Sequence, residues 1–176
     1  MNVASQIAGA KFSIRDYRPT DFDTLWEIDQ RCFPPGISYT RMELSGFLTK
    51  RSAIALIGEV QPDESRNKEP YAPGKADSPS SIAGYLVAHS IRRRYGRILT
   101  LDILPEARRL GLGTKLMSAC EERLRALGCS QVYLETAVDN EAALRLYRRL
   151  GYEILEILPE YYASHSLDAF HMGKRL

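Results

Sequence analysis

Arg108-Arg109-Leu110-Gly111-Leu112-Gly113 stands between two segments of different periodicity. Before it, residues 97–104 form a dense apolar run of strand length, as a central, doubly covered strand would. After it, Leu112, Leu116, Cys120, Leu124 and Leu127 recur at helical spacing, and Gly128 stands where the residue just past a helix end belongs. Gly111 and Gly113 carry no side chain, so the backbone there can curl and approach a ligand closely. The N–H groups entering the helix from Gly113 have no partners inside it. With the helix dipole they form an anion site, to which Arg108 and Arg109 add full charges. In physical terms this is a cradle for a pyrophosphate, and an ordinary Gly-rich strand-to-helix turn is the plainer alternative. Two familiar nucleotide loops do not fit. A dinucleotide fingerprint needs a third glycine where Leu116 stands, and a P-loop needs Gly-Lys-Ser/Thr where Gly113-Thr114-Lys115 stands.

The rest of the chain supplies a compact frame for that turn. Its 176 residues suit one domain, and 44% apolar with 26% charged residues is the composition of an ordinary globular chain. Residues 12–176 read as that domain after an N-terminal extension, residues 1–11. No window approaches the roughly 18 apolar residues of a membrane span, and residues 1–10 lack the pattern of a secretory signal. Cys32, Cys120 and Cys129 are too few and too scattered for a disulfide framework or a zinc site, so a reducing cytoplasm is expected and no metal. The net charge of +2 hides an uneven distribution, because residues 91–115 hold seven basic and two acidic side chains. A local positive field there suits an anionic ligand, or else a solvated basic surface.

Alternation over residues 12–17 predicts a first strand. Thr20, followed by Asp23, predicts a capped helix with Phe22, Leu25, Trp26, Ile28 and Cys32 at helical spacing, stopped by Pro34-Pro35. Thr40 and Glu43 form a second capping signal. Residues 52–60 and 81–90 predict two strands. Between them lies the Pro-rich stretch 61–80, expected as a flexible insertion on a hairpin. Residues 131–136 predict a strand, Asp139-Asn140 a cap for a helix with Ala143, Leu146, Tyr147 and Leu150 inward, and residues 152–158 and 169–175 two closing strands. The sum is an α+β domain with a mixed sheet covered on both faces.

With Arg108, Gly111 and Gly113 in place, the turn resembles motif A of the GNAT family of N-acetyltransferases, Arg/Gln-x-x-Gly-x-Gly/Ala. Leu134-Glu135, then Asn140, Ala143, Tyr147 and Gly151-Tyr152, resemble the family's motif B, and the order of elements agrees from Phe12 onward. The resemblance implies a mostly antiparallel central sheet of about seven strands with helices on both faces, and acetyl-CoA as acyl donor. It implies that Leu101 and Ile103 hold the pantetheine arm along a free strand edge. Arg108, Arg109, Leu110, Gly111, Leu112, Gly113 and Thr114 would hold the pyrophosphate, and Asn140, Ala143 and Tyr147 would complete the donor site. Glu135 is the implied general base and Tyr147 the implied general acid. Arg145, Arg148 and Arg149 stand where they could reach the 3′-phosphate or form a charged solvent face.

Within the family, Cys32-Phe33-Pro34, Tyr161-Tyr162 and Asp168-Ala169 resemble the ribosomal-protein alanine and protein N-terminal acetyltransferases. That narrower likeness makes Phe33, Pro34, Glu135, Tyr161, Tyr162 and Asp168 acceptor-site residues and a protein or peptide N-terminus, such as that of a ribosomal protein, the expected partner. The stretch 61–80 is longer than the family's usual hairpin, and Arg92, Arg93 and Arg94 match nothing in it. The alternatives are a small amine, polyamine or antibiotic as acceptor, or a non-catalytic acyl-CoA-binding module docking on nucleic acid. Membrane and nucleic acid are not expected partners of the enzyme. His89, His165 and His171 show no ligand spacing and read as surface or core histidines.

Overall fold

The computed structural model describes residues 11–61, 81–92 and 94–176. The N-terminal residues 1–10, most of the Pro-rich stretch and Arg93 lie outside the described residues, so the expectations placed on them are not addressed by it. The chain runs β1 (Phe12–Asp16), α1 (Phe22–Cys32), α2 (Arg41–Leu48), β2 (Ala53–Val60), β3 (Ile82–Ile91), β4 (Tyr95–Ile103), α3 (Leu112–Ala126), β5 (Gln131–Ala137), α4 (Glu141–Arg149), β6 (Glu153–Tyr162) and β7 (Leu167–Arg175). The seven strands form one sheet in the order β1-β2-β3-β4-β5-β7-β6. Every pairing is antiparallel except β4 with β5, which α3 connects.

Two features of β4 position the site. Its parallel pairing with β5 covers only Tyr95–Gln131, Gly96–Val132 and Arg97–Tyr133, so the two strands part after Arg97. Its pairing with β3 skips Leu99, since Ala88 pairs with Ile98 and Val87 with Thr100. This bulge shifts the alternation of side chains. Arg97, Thr100 and Asp102 therefore share the α1–α2 face with Tyr85, Val87 and His89, their partners in register or near it on β3. Leu101 and Ile103 turn toward α3 and α4, where a Cβ on Gly113 would meet Ile103 Cδ1 at 3.0 Å and Leu146 Cδ2 at 3.1 Å.

Leu112, Leu116, Met117, Cys120 and Leu124 of α3 are fully or almost fully buried against the sheet, and Leu25 and Leu44 are buried from the opposite face. Each such side chain contributes about 1.5–3 kcal/mol of transfer free energy. Two helix signals hold in detail. Glu43 N–H donates to Thr40 Oγ1 (3.3 Å) while Thr40 N–H donates to Glu43 Oε2 (2.9 Å). Ala143 N–H donates to Asn140 Oδ1 (3.2 Å).

Elsewhere the structure differs from the sequence reading. Thr20 does not cap α1, because Pro19–Asp21 form a 3-10 turn. The Asp21 carboxylate there accepts the Arg18 N–H at 2.7 Å and the Arg15 guanidinium at 2.7 and 3.0 Å. Leu127 is 38% exposed, since α3 ends at Ala126 and the chain turns away through Gly128 at φ 86°. Strand β6 continues through Pro159 to Tyr162, which an edge strand permits because the missing N–H faces no neighbour. Among the described residues no helix is long and apolar enough to cross a membrane.

Candidate active site

On the α3 side of the parting, the chain leaves β4 through the turn Pro105–Ala107 and enters α3 with Arg109 at φ 62° and Gly111 at φ 87°. Gly111 is the N-cap and has no side chain to offer, and Lys115 N–H is the first to find a carbonyl, that of Gly111 at 3.1 Å. The N–H groups of Leu112, Gly113 and Thr114 therefore open outward. Arg109 and Leu110 are exposed beside them, and the Arg149 guanidinium donates to Thr114 Oγ1 at 3.1 Å. Arg108 differs from expectation. Its Nε donates to the Ile103 carbonyl at 3.0 Å, which also accepts from Cys32 Sγ–H at 3.3 Å, so the guanidinium closes the end of β4 rather than lying along the helix start.

The α1–α2 face of the parting carries a cleft of about 520 Å³. Arg97, Leu99, Glu135, Tyr161, Tyr162 and the loop Gly36, Ile37, Ser38, Tyr39 line it, with Thr40, Glu43 and Phe47 at one end. Glu135 projects from β5 on the face of Tyr133 and is 12% exposed. Its Oε2 accepts from Arg97 Nε and an Arg97 NH2 group, both at 3.2 Å, and its Oε1 lies 3.2 Å from His171 Nδ1. The same Arg97 group donates to the Tyr161 hydroxyl at 3.3 Å. His171 lies flat against Tyr133, with ring centres 5.4 Å apart and 12° between planes. Tyr39 donates its hydroxyl proton to the Leu99 carbonyl at 3.1 Å, anchoring the loop to β4.

The phenols of this region are held protonated. Burial raises Tyr161, and the Glu135 charge raises it further. Burial pushes Tyr162 up to about 12 and Tyr147 well above its ordinary value of 10. Tyr147 is 7% exposed, packs against Tyr152 at 5.9 Å, and its hydroxyl bonds to no described residue. Beneath the cleft, Asp102 is fully buried. Thr100 Oγ1–H donates to its Oδ1, while its Oδ2 and the Tyr85 hydroxyl have no partner among the described residues. Asp29, also fully buried, accepts the Tyr39 N–H at 2.8 Å and the Gln30 amide at 2.9 Å.

The structure thus gathers Glu135, Tyr161 and Tyr162 on one cleft. It leaves Phe33 and Pro34 outside the lining, where the following residues Gly36 to Ser38 stand instead. Asp168 is also outside. Its Oδ1 accepts the Glu160 N–H at 2.8 Å and holds the turn at Glu160, φ 50°, from which Tyr161 and Tyr162 follow. Sequence reasoning missed Arg97, His171 and Tyr39. His171 sits directly opposite Glu135 in the β5–β7 register, so a pairing of the two strands would have found it. Arg97 was visible only as part of a basic stretch.

Residues 22–152 match the acetyltransferase (GNAT) family. The chain belongs to that family. It is an N-acetyltransferase of the acetyl-CoA-dependent GNAT type, with the parted β4–β5 pair between the turn into α3 and the cleft on the other face. An N-alpha-acetyltransferase of Sulfurisphaera tokodaii is 26% identical over 188 aligned positions that cover all of both chains. The crystal structure of Ard1 from Thermoplasma volcanium is 25% identical, covers 94% of this chain and 97% of its own, and superposes with a TM-score of 0.76. The ribosomal-protein-S18-alanine N-acetyltransferase of Escherichia coli shares the fold at 18% identity, 94% coverage of each chain and a TM-score of 0.74.

Proposed function

We propose that the chain acetylates the α-amino group of protein N-termini by direct transfer from acetyl-CoA, with Glu135 as general base and Tyr147 as general acid. The carrying observation is the seat of Glu135: a carboxylate 12% exposed on the wall of an open cleft, beside the parting of β4 and β5 and held at both oxygens. Relatives of full length named N-alpha-acetyltransferases support the acceptor class. Acetyl-CoA fits the opposite side. Leu112, Gly113 and Thr114 offer three N–H donors to a pyrophosphate, with Arg109 near it. Leu101 and Ile103 lie on the unpaired edge of β4, and Asn140 and Ala143 open α4. When bound, acetyl-CoA supplies an acetyl group activated as a thioester.

The residues of the chain then have separate tasks. Glu135 takes the proton that the acceptor ammonium must lose before its nitrogen can attack. Tyr147 offers a proton to the departing sulfur, and burial keeps its phenol in the donating form. Two of the three thiols are poorly suited to a covalent enzyme intermediate. Burial pushes Cys32 up to about 11 and Cys120 up to about 12, so neither is a ready nucleophile.

A cationic small amine as acceptor would call for spare negative charge. Glu43 and Glu135 both line the cleft, yet Arg97 pairs with Glu135 and Glu43 is committed to Thr40. Release of free thiol from acetyl-CoA, measured against peptides with free and blocked α-amines (ribosomal-protein N-termini among them) and against small amines, tests the proposal. Turnover that disappears when the α-amine is blocked is expected. Turnover with small amines alone would overturn the acceptor.

A further inference from the structure

Four strands carry a row of ionisable side chains across the cleft face: Arg97 on β4, Glu135 on β5, His171 on β7 and Glu156 on β6. Glu135 and Glu156 each pair with His171 in register, one from either side. Arg97 is the diagonal neighbour of Glu135, being in register with Tyr133. Only Arg97 has a fixed charge. Glu135 therefore has one permanent cationic partner at Oε2 and one conditional partner, the imidazole, at Oε1.

We propose that His171 is a positioning residue that gates Glu135 by its own charge state. This rests on the reading of Glu135 as the base. A neutral ring that carries its proton on Nδ1 donates it to Oε1, fixing the carboxylate while leaving Arg97 as its sole cation. Nε2 then holds the free lone pair, and the His171 side chain is 23% exposed, so solvent can reach the residue. Protonation at Nε2 makes the ring an imidazolium. Glu135 then lies between two cations, its affinity for a further proton falls, and it no longer deprotonates the acceptor.

The ring faces Glu135 on β5 and Glu156 on β6 in register and lies flat on Tyr133, with Arg97 on β4 beyond Glu135. The chemistry is a proton gate at the acceptor site: closed below the titration of His171, open above it.

The test compares kcat against pH, at saturating acetyl-CoA and peptide, for the wild type, His171→Gln and Glu135→Gln. A glutamine amide can donate to Oε1 but does not titrate. The wild type is expected to lose about tenfold in kcat per pH unit on its acidic limb. His171→Gln should flatten that limb, with the KM for acetyl-CoA unmoved. The His171 ring signals, followed by NMR at fixed pH, should differ between the wild type and Glu135→Gln because the 3.2 Å contact to Oε1 is altered, a readout independent of activity and of the folding of the His171 variant. Superimposable pH profiles for wild type and His171→Gln, with Glu135→Gln inactive, would overturn the gate alone. Full activity of Glu135→Gln would instead overturn the base assignment, and the gate with it.

Discussion

The two sides of the β4–β5 parting are built on different principles. The α3 side comes from one short run, residues 108–114, and works through backbone N–H groups and a glycine at positive φ. The cleft side comes from side chains far apart in sequence. Arg97 and Glu135 are 38 residues apart, Glu135 and His171 are 36 apart, and Arg97 and Tyr161 are 64 apart. Backbone donors have no protonation state near neutrality, so the first side should be indifferent to pH and tolerant of most side-chain changes. The second is a set of ionisable groups whose charges depend on one another. Donor binding and acceptor chemistry should therefore separate under mutation.

The largest effect expected is that of Glu135→Gln. Loss of the base should lower kcat by about 10²–10⁴-fold. The acetyl-CoA dissociation constant, measured by titration calorimetry, should stay within about twofold, since Glu135 lies on the cleft and not at the α3 start. Equal losses in both quantities would break the division into two sides. Tyr147→Phe is next, with kcat about 10²-fold lower and donor binding retained. Tyr147 is the closer test, because it belongs to α4, whose Leu146 stands beside Gly113 of α3, and not to the cleft lining. Wild-type turnover in this variant would remove its acid role.

This contrast also explains what could be read in advance. The α3 side was legible as structure because its elements are contiguous: a strand, two glycines and a helix suffice, and Asn140 announced the next helix by its cap. Most strands were legible from their apolar runs. Arg97 and His171 were not, because what makes them partners of Glu135 is strand register, which no local pattern carries. The bulge at Leu99, which turns Asp102 into the interior and Leu101 toward α3, has no local signature either. Phe33 and Pro34 show the converse. A likeness in short stretches pointed to Phe33 and Pro34, and the cleft is lined instead by residues a few positions along the chain, Gly36 to Tyr39.

Asp102 extends the comparison to stability. Burial pushes its carboxyl up to about 7, the Thr100 hydroxyl only partly offsetting that, and burial likewise pushes Asp29 up to about 6. In the unfolded chain both titrate near 3.9. Between about pH 4 and 7 the folded state thus holds more protons than the unfolded one, and stability falls as pH rises through that window. This is opposite in sign to a salt-bridged carboxylate. Asp102→Asn keeps the shape and removes the titration. Urea unfolding at pH 5 and pH 8 should show the wild type losing about 2–3 kcal/mol more than the variant, at about 1.4 kcal/mol per pH unit. Equal losses would show that Asp102 stays ionised in the fold.

The smallest effect belongs to the α3 side and separates its two glycines. A Cβ on Gly111 would meet nothing within 4 Å, but φ is 87°, a conformation that costs an L-residue about 1–2 kcal/mol. Gly111→Ala should therefore lower stability by about 1 kcal/mol without filling the anion site. Gly113 has ordinary helical backbone, and its Cβ would press on Ile103 Cδ1 and Leu146 Cδ2 at 3.0 and 3.1 Å, both ends of flexible side chains. The helix propensity of alanine, up to about 1 kcal/mol better than glycine, opposes that crowding. Thermal unfolding should show Gly111→Ala the less stable of the two. For acetyl-CoA the order should reverse, because Ile103 and Leu146, displaced in Gly113→Ala, border the free edge of β4 and the start of α3. An identical donor affinity in the two variants would mean that the cradle depends on the turn alone and not on the packing behind it.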